Sequence, residues 1–355
     1  MYRIVRFLSF ATIVVFAVWY LGFRPTGIEP VAYTPSQNPG LTGQFEPNQR
    51  LAVIDVLDMG DQDGPEDIAF DANGVGWVTS MQSGLWRVDG REMTHVGRLG
   101  GRPLGLEFGA DGALYIADSY LGLLRWTDAN GSEVLADSYE NRPIRYANQV
   151  APARDGSVYF SISTRRNDPE LLGGTLPSSV VDLWEHQRTG HILRWTDAGL
   201  TQVADGFSFT NGIALTPEQD ALLIAETGEY RIWKHDLATG TREIIVDDLP
   251  GFPDNIQAQG DGTYWVGIVA PRNGIADTLA PYPVVRNIVW RLPEVVRPKP
   301  VHHGILMQIN GDGEILDVLQ APGGEYSLVT GAIAVGETLY VTSLGAPGLG
   351  VMDAP

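Results

Sequence analysis

A pattern of about 40 residues recurs six times along this chain, and it constrains the fold more than any other feature. Each copy joins a short apolar segment to a second segment rich in aromatic and β-branched residues. The joining turns are Asn73-Gly74, Asp111-Gly112, Asp155-Gly156, Glu218 to Asp220, Asp261-Gly262 and Gly336-Glu337. Asn-Gly and Asp-Gly pairs favour tight hairpins because these residues tolerate positive φ. Since one four-stranded propeller blade takes about 40 residues, six copies predict an all-β, six-bladed β-propeller.

Two intervals between successive turns are longer than the others and contain insertions, near residues 165–189 and 271–303. Both insertions are polar or contain proline and lack strand alternation, so we expect them to cover one face of the ring. The segment from Arg50 to Asp58 alternates apolar and polar residues before the first full repeat. It is expected to supply the outer strand of the last blade and to close the ring. A β-sandwich is the structural alternative, but it does not explain six repeats of this length.

The N-terminus carries an uncharged run from Phe7 to Phe23, preceded by Arg3 and Arg6. The run has nearly the length of a transmembrane helix. A cleaved secretory signal is the alternative, but the run ends in bulky aromatic residues where a signal needs small ones. Residues 1–24 are therefore predicted as an N-terminal transmembrane anchor (or uncleaved signal), residues 25–49 as a linker and residues 50–355 as the propeller. The preceding arginines predict a propeller on the extracytoplasmic side, in the periplasm or a lumen.

The composition excludes several classes of function. The net charge of −19 disfavours nucleic-acid binding, which needs a basic surface. The chain has no cysteine, so disulfides, thiolate metal sites and a cysteine nucleophile are ruled out. A G-x-S-x-G nucleophile elbow and a Walker phosphate-binding loop are both missing from the sequence.

Polar residues recur at one register of the repeat, seven positions before each turn. Equivalent positions of all blades surround the central axis of a propeller, so side chains that begin the innermost strands would converge there. The six positions are Glu66, Leu104, Asn148, Asn211, Asp254 and Thr330. Tyr146, Phe209 and Phe252 each precede one of these by two residues, where packing between blades is expected and the channel mouth is the alternative.

Four of the six register positions carry carboxylate or amide oxygens, and this favours a calcium site. Glu66, Asn148, Asn211 and Asp254 would supply two carboxylates and two amide oxygens, and Asn255 is a further candidate ligand. Ca²⁺ takes six to eight oxygen ligands, whereas Zn²⁺ prefers nitrogen and sulfur. The alternative is that each residue serves a turn, since Asn before Gly and acidic residues after Pro are common in loops.

Several stretches resemble the strictosidine synthase-like branch of the calcium-dependent six-bladed propellers, a group that includes gluconolactonases and paraoxonases. The stretches are GPEDIAFDANG, YANQVAPARDGSVYFSIS, RTGHILRWT, TNGIALTPEQDALLIAETGEYRIWKHDL, GFPDNIQAQGDGTYWVGIVAPRN and VRNIVWRLP. In organisation the chain is also similar to the adipocyte plasma membrane-associated proteins, which carry an N-terminal anchor. The resemblance covers about residues 50–352 and implies calcium at Glu66, Asn148, Asn211 and Asp254.

The resemblance also implies a function, a calcium-dependent hydrolase of small-molecule esters or lactones, with Asp254 as candidate base. Two departures limit the transfer. Thr330 stands where strictosidine synthase carries its acid/base glutamate, which makes a condensing enzyme the least favoured reading. Leu104 stands where paraoxonases carry a histidine. Among the chain's own histidines, His303 at the end of the second insertion is a candidate for the channel entrance. A non-catalytic binding or scaffold propeller with structural calcium remains the alternative.

Overall fold

The computed structural model describes residues 2–355, and within them it contains six four-stranded antiparallel sheets. The predicted six-bladed β-propeller is thereby confirmed. Five blades consist of four consecutive strands, and the sixth combines three C-terminal strands with β1 from the N-terminal side. A small two-stranded hairpin lies between the second and third blades.

The strands are bounded as follows. Strand β1 is Asp55–Asp58; blade one is β2 Ile68–Phe70, β3 Gly76–Thr79, β4 Gly84–Asp89 and β5 Glu92–Arg98; blade two is β6 Pro103–Phe108, β7 Leu114–Asp118, β8 Gly122–Thr127 and β9 Gly131–Ala136; the hairpin is β10 Ser138–Tyr139 and β11 Arg142–Pro143; blade three is β12 Ala147–Pro152, β13 Val158–Ile162, β14 Gly190–Thr196 and β15 Gly199–Phe207; blade four is β16 Thr210–Leu215, β17 Ala221–Glu226, β18 Arg231–Asp236 and β19 Arg242–Val246; blade five is β20 Gly251–Ala258, β21 Thr263–Pro271, β22 Gly304–Asn310 and β23 Ile315–Ala321; blade six is β24 Val329–Val335, β25 Thr338–Ser343, β26 Gly348–Asp353 and β1.

The six predicted turns join the first and second strands of their blades. In three of them an aspartate oxygen accepts a hydrogen bond from the backbone two residues on, as between Asp261 Oδ1 and the amide of Thr263 at 2.9 Å. The glycines that follow have positive φ, for example 90° at Gly262. In the fourth blade, where glycine is missing, Gln219 adopts a φ of 60° instead. The turn chemistry therefore sets the register of each blade.

Strand β1 closes the ring. It pairs antiparallel with β26, with Leu57 opposite Leu349. The segment that the sequence analysis expected to complete the last blade therefore does so, and it joins the N-terminal and C-terminal parts of the propeller in one sheet.

Buried aliphatic and aromatic side chains fill the spaces between neighbouring blades. Between blades four and five, for example, Leu223 and Ile232 pack in one cluster with Val266 and Met307, and all four are fully buried. Each such side chain contributes about 1.5–3 kcal/mol through removal from water. Because every blade contacts its neighbours in this way, the inner strands are held in fixed positions around the axis.

Helices occur in the N-terminal segment and in the two insertions. They are α1 Tyr2–Gly22, α2 Thr175–Glu185, α3 Gly274–Leu279 and α4 Pro283–Trp290, with single 3₁₀ turns at Gly43–Phe45, Thr227–Glu229 and Glu294–Val296. The first insertion joins β13 to β14, and the second joins β21 to β22. Both therefore connect a second strand to a third strand. In an antiparallel blade this end also holds the start of the first strand, so both insertions lie on the face where the inner strands begin.

Residues 25–49, predicted as a linker, lie against the propeller, and we call them the strap. The strap first crosses the two insertions, where Val31 N donates to Glu185 O at 2.9 Å and Arg272 Nη2 donates to Ser36 O at 2.7 Å. It then follows the outer strand of blade five, where Phe45 is buried and Asn48 Nδ2 donates to Val318 O at 3.0 Å. The strap thus connects α1 to the face that carries the insertions.

Candidate metal centre

Four of the six register residues carry oxygen-bearing side chains from four different blades to one cavity on the axis. Asn148, Asn211 and Asp254 lie at or near the start of β12, β16 and β20, and Glu66 lies two residues before β2. All four line the same cavity, and each side chain is at least nine-tenths buried. The equivalent turn register in each blade is what brings them together.

The cavity has room of about 100 Å³ for water-sized molecules, and most of its lining away from this polar end is apolar. Leu104, Tyr146 and Phe209 pack together as one wall, with Leu183 of α2 against them. Helix α2 covers the opening with Leu176, Ser179 and Val180, and Pro300 of the second insertion reaches the same opening. A ligand in this cavity would meet carboxylate and amide oxygens at one end and hydrocarbon elsewhere.

Four buried oxygens at the polar end find no hydrogen-bond partner among residues 2–355. They are Glu66 Oε2, Asn148 Oδ1, Asn211 Oδ1 and Asn255 Oδ1. The amide nitrogens of two of these residues are satisfied: Asn148 Nδ2 donates to Ser163 Oγ at 2.9 Å, and Asn255 Nδ2 donates to the Glu66 carbonyl at 3.1 Å. The amides are therefore oriented so that their oxygens remain available. A buried oxygen left unpaired costs about 1–3 kcal/mol, so a ligand that accepts lone pairs would stabilise this arrangement.

The electrostatics of the polar end also favour a cation. Burial raises the pKa of Glu66 well above its usual range, and the negative charges of Asp254 and Asp67 raise it further. Burial likewise raises the pKa of Asp254 to about 8, although a hydrogen bond from Asn211 offsets part of the rise. The carboxylates thus lie in an environment that penalises their negative charge, and a bound cation would reverse that penalty.

Arg102 lies near Glu66 as a positive charge inside the ring. Its Nη1 donates to the carbonyls of Pro103 at 2.7 Å and Ser80 at 3.2 Å, and burial lowers the pKa of its guanidinium. One cation of this kind does not balance the three buried carboxylates of Glu66, Asp67 and Asp254.

Asp67, which sequence reasoning did not identify, is the centre of a hydrogen-bonded layer beneath the proposed ligands. Its Oδ2 accepts from the amide of Leu106 at 2.9 Å and from Gln149 Nε2 at 3.0 Å, while its Oδ1 accepts from Gln257 Nε2 and the amide of Ile68. Burial raises the pKa of Asp67 to about 7. These bonds link blades one, two, three and five, and they hold the strand segments that carry Glu66, Asn148 and Asp254. The only sequence signal is that Asp67 and Gln149 directly follow two proposed ligands.

The donor set fits a hard divalent cation. Two carboxylates and two or three amide oxygens are what Ca²⁺ binds, and water or substrate would complete its six to eight ligands. Within residues 2–355, no group of three or more His, Asp or Glu side chains is arranged to hold a metal. The candidate donors are the carboxylates and amide oxygens that meet at the cavity, a mixed set that disfavours Zn²⁺.

The other predicted site residues differ in their position. Leu104 lines the cavity wall. Thr330 is fully buried outside the lining, where its Oγ1 donates to the Glu66 carbonyl at 2.7 Å. Asn255 also lies behind the lining and binds the same carbonyl, so both side chains position Glu66. His303 lies outside the lining too, because its Nε2 is within 2.8 Å of Gln320 Oε1 on the outer strand of blade five.

The aromatic residues that precede the ligands by two positions all line the cavity. Tyr146 and Phe209 adopt left-handed backbone conformations, with φ of 58° and 59°. The equivalent positions in blades one and six, Gly64 and Leu328, have φ of 59° and 54°. Bulky residues rarely adopt this conformation, and its recurrence marks a shared turn into the inner strand. In blades three and four this turn directs the aromatic side chains of Tyr146 and Phe209 toward the cavity.

Gly212 follows the proposed ligand Asn211 at a point where two inner strands touch. A Cβ atom there would lie 2.4 Å from both Asp254 O and Ile256 N. We therefore expect Gly212→Ala to separate β16 from β20, to destabilise the protein by about 1–3 kcal/mol, and to weaken calcium binding. Urea denaturation and calorimetry would measure the two effects. Gly97→Ala is the matched control, since a Cβ there meets nothing within 4 Å. Equal behaviour of the two variants would contradict the close approach of the strands.

Comparison with protein families gives two matches. The family model described as "SMP-30/Gluconolactonase/LRE-like region" matches residues 68–277. The model described as "Strictosidine synthase-like, N-terminal" matches residues 43–86. The first match contains Leu104, Asn148, Asn211 and Asp254, although it ends after the second strand of blade five, and the second match contains Glu66.

Relatives that match most of this chain come from plants and animals. Protein STRICTOSIDINE SYNTHASE-LIKE 13 of Arabidopsis thaliana is 31% identical over 304 residues, which cover 74% of this chain and 73% of that protein. The adipocyte plasma membrane-associated protein of Salmo salar is 27% identical over 357 residues, which cover 92% of this chain and 84% of that protein.

Solved structures share the fold at low identity. A gluconolactonase from Xanthomonas campestris superposes with a TM-score of 0.61 at 17% identity and covers 94% of this chain and 99% of its own. Regucalcin from Agrobacterium tumefaciens, described as a calcium-binding protein, superposes with a TM-score of 0.59 at 18% identity and covers 83% of this chain and 91% of its own.

Proposed function

This chain belongs to the SMP-30/gluconolactonase/LRE-like family, in its strictosidine synthase-like branch, and on that premise we propose that it is a calcium-dependent hydrolase of esters or lactones. The observation that carries the proposal is the set of unpartnered oxygens from Glu66, Asn148 and Asn211, which meet Asp254 at one end of an apolar cavity.

Glu66, Asn148, Asn211 and Asp254 would hold the ion, and Asn255 would support Glu66 from behind. Bound there, Ca²⁺ would polarise the carbonyl group of an ester or lactone and stabilise the negative charge that develops on its oxygen. Asp254 is the candidate general base, because its carboxylate lies in the cavity lining where an attacking water would stand. The apolar wall of Leu104, Tyr146 and Phe209 would hold the hydrocarbon part of the substrate and exclude bulk water.

A condensing activity is not favoured. Thr330 lies at the sixth-blade position, and its hydroxyl is engaged with the Glu66 carbonyl. A threonine hydroxyl does not ionise near neutral pH, so it would not replace a catalytic glutamate as acid or base. This contact instead supports a structural role for Thr330 beneath the metal.

We propose that the N-terminal helix anchors the enzyme in a membrane with the propeller on the extracytoplasmic side. Ile4–Gly22 has the length and composition of a membrane span, and none of it is buried within the described chain. The similarity to adipocyte plasma membrane-associated proteins supports membrane association. Arg3 and Arg6 before the apolar run support the orientation, because positive residues stay on the cytoplasmic side.

The expected result of an activity test is hydrolysis that requires calcium. The full-length protein in detergent should hydrolyse phenyl acetate or members of a lactone panel in calcium, and the chelator EGTA should remove that activity reversibly. The Asp254→Asn variant should be inactive under both conditions. The same change at an exposed site, Asp312→Asn, should leave the rate unchanged, since this side chain is 89% exposed. Calcium binding without chelator-sensitive turnover would instead indicate a binding or scaffold propeller.

A further inference from the structure

The exposed apolar side chains of the propeller are concentrated on one face. Among the described residues that follow Phe23, eighteen large hydrophobic side chains are exposed, and eleven of them belong to the two insertions. The eleven are Leu171, Leu172, Leu176, Val180, Ile275, Tyr282, Val284, Val285, Val295, Val296 and Val301. Soluble domains seldom collect exposed hydrocarbon in this way unless another apolar surface covers it. We call this set the apolar rim.

The apolar rim reaches the opening of the cavity. Leu176 and Val180 of α2 are about two-fifths exposed and at the same time line the cavity, so the rim continues into the opening. Pro300 of the second insertion also lines the cavity, next to the exposed Val301. Both insertions lie on the face where the inner strands begin, which is the face of the proposed metal ligands.

The same face is joined to the candidate membrane helix. Arg291, one residue beyond α4, donates from Nη1 to Leu21 O at 3.1 Å and from Nε to Arg24 O at 2.6 Å. Thr26 Oγ1 lies 2.7 Å from Asn287 Oδ1 of α4. If α1 spans a bilayer, its end at Gly22 lies at the membrane surface, because the charge of Arg24 must remain among the headgroups. The second insertion is then held at the same level.

The charge and aromatic content of the second insertion suit a lipid surface. Residues 271–303 contain five Lys and Arg against two acidic residues, a net charge of +3 in a chain whose total is −19. Arg272 and Arg286 are buried against the strap, so the basic residues available at the surface are Arg291, Arg297 and Lys299. Anionic headgroups attract such a segment. Trp290 packs near Trp184 with ring centroids 6.2 Å apart, and Tyr282 is 57% exposed. Tryptophan and tyrosine are the residues that favour the boundary between hydrocarbon and headgroups.

We propose that the apolar rim docks onto the bilayer that holds α1, so that the cavity opens at the membrane surface. The occupant of the rim is lipid, with the valines of the second insertion in the headgroup and acyl boundary. The substrate inference rests on the proposed function: the substrates are esters or lactones that carry a hydrocarbon chain and partition into the membrane. They would reach the cavity past Leu176 and Val180 rather than from bulk water.

Site-directed fluorescence quenching tests the docking without reference to catalysis. The chain has no cysteine, so a single introduced cysteine labels one position. The full-length Val284→Cys, Val295→Cys and Val53→Cys variants would each carry a bimane label and be reconstituted in phosphatidylcholine and phosphatidylglycerol vesicles. Val53 is the matched control: it is 74% exposed, like Val284 at 73% and Val295 at 78%, but it lies outside both insertions, two residues before β1.

Lipids with a nitroxide on the upper acyl chain should quench the labels at positions 284 and 295 at least about threefold more than the label at position 53, since such probes report contact with the acyl boundary. Iodide in the water phase should show the reverse order. Equal quenching at the three positions, or stronger iodide quenching at position 284 than at position 53, would overturn the proposal. An inactive protein that shows the expected quenching would refute the hydrolase and leave the docking intact.

Discussion

The Asp254→Asn variant is expected to lose calcium affinity by about a hundredfold or more. Affinity for Ca²⁺ depends on the number of charged ligands, and even outer partners of metal sites typically contribute 10–100-fold. Asp254 supplies one of the two carboxylates that line the cavity, so its neutral isostere keeps the shape and removes half of the charge. Isothermal titration calorimetry with calcium would measure the loss, and Glu66→Gln should behave similarly.

Thermal stability separates this effect from misfolding. In the wild type, calcium at a hundred times its dissociation constant should add about 2.7 kcal/mol of stability by mass action. Without metal, Asp254→Asn should be more stable than the wild type, because Asp254 no longer raises the electrostatic energy of Glu66 and Asp67 in the buried site. With excess calcium the order should invert. Asp312→Asn should follow the wild type in both conditions. Calcium affinity unchanged by Asp254→Asn would refute the ligand assignment.

Removal of residues 348–355 is expected to abolish cooperative folding. The truncation deletes β26 together with its buried side chains Leu349 and Val351, and it leaves β1 without its partner strand. The lost burial of these two side chains and of Leu57 amounts to about 4.5–9 kcal/mol. That is comparable with the whole stability of a typical domain, about 5–15 kcal/mol. Urea denaturation followed by tryptophan fluorescence should show no cooperative transition for the truncated chain.

A graded pair of substitutions in β1 keeps this prediction testable if the truncated protein does not express. Leu57 is 6% exposed and packs in the core, whereas its neighbour Val56 is 41% exposed on the other side of the strand. Leu57→Ala should cost about 2–4 kcal/mol, and Val56→Ala should cost less than about 1 kcal/mol. A cost for Leu57→Ala no larger than that for Val56→Ala would mean that ring closure contributes little to stability.

The feature most readable from the sequence was the repeat, and with it the fold. A turn such as Asp261-Gly262 requires positive φ and a side-chain acceptor, so few residue types fit, and the turn is visible in the letters themselves. The fixed offset from these turns also identified Glu66, Asn148, Asn211 and Asp254, which the structure brings to one cavity. This works because a propeller repeats its geometry, so that equal offsets become equal positions around the axis.

Other features depend on contacts between segments that are far apart in the chain. His303 was a candidate for the channel, but its bond to Gln320, on the neighbouring strand, turns it away from the cavity. Residues 25–49, predicted as a linker, lie against the propeller because Arg272 and Arg286 donate hydrogen bonds to their carbonyl groups. Nothing in the sequence of residues 25–49 indicates those partners. Tyr146 and Phe209 face the cavity because of left-handed backbone conformations, which cannot be predicted from bulky residue types that rarely adopt them.

The sequence alone therefore determined the six blades, the closing strand and the register of the proposed oxygen ligands, since local turn chemistry and periodicity specify them. Only the tertiary structure decided which oxygens remain unpartnered, which residues support Glu66, and which parts of the insertions reach the opening. These properties are sums over many long-range contacts and over solvent exclusion, and no short stretch of residues encodes them.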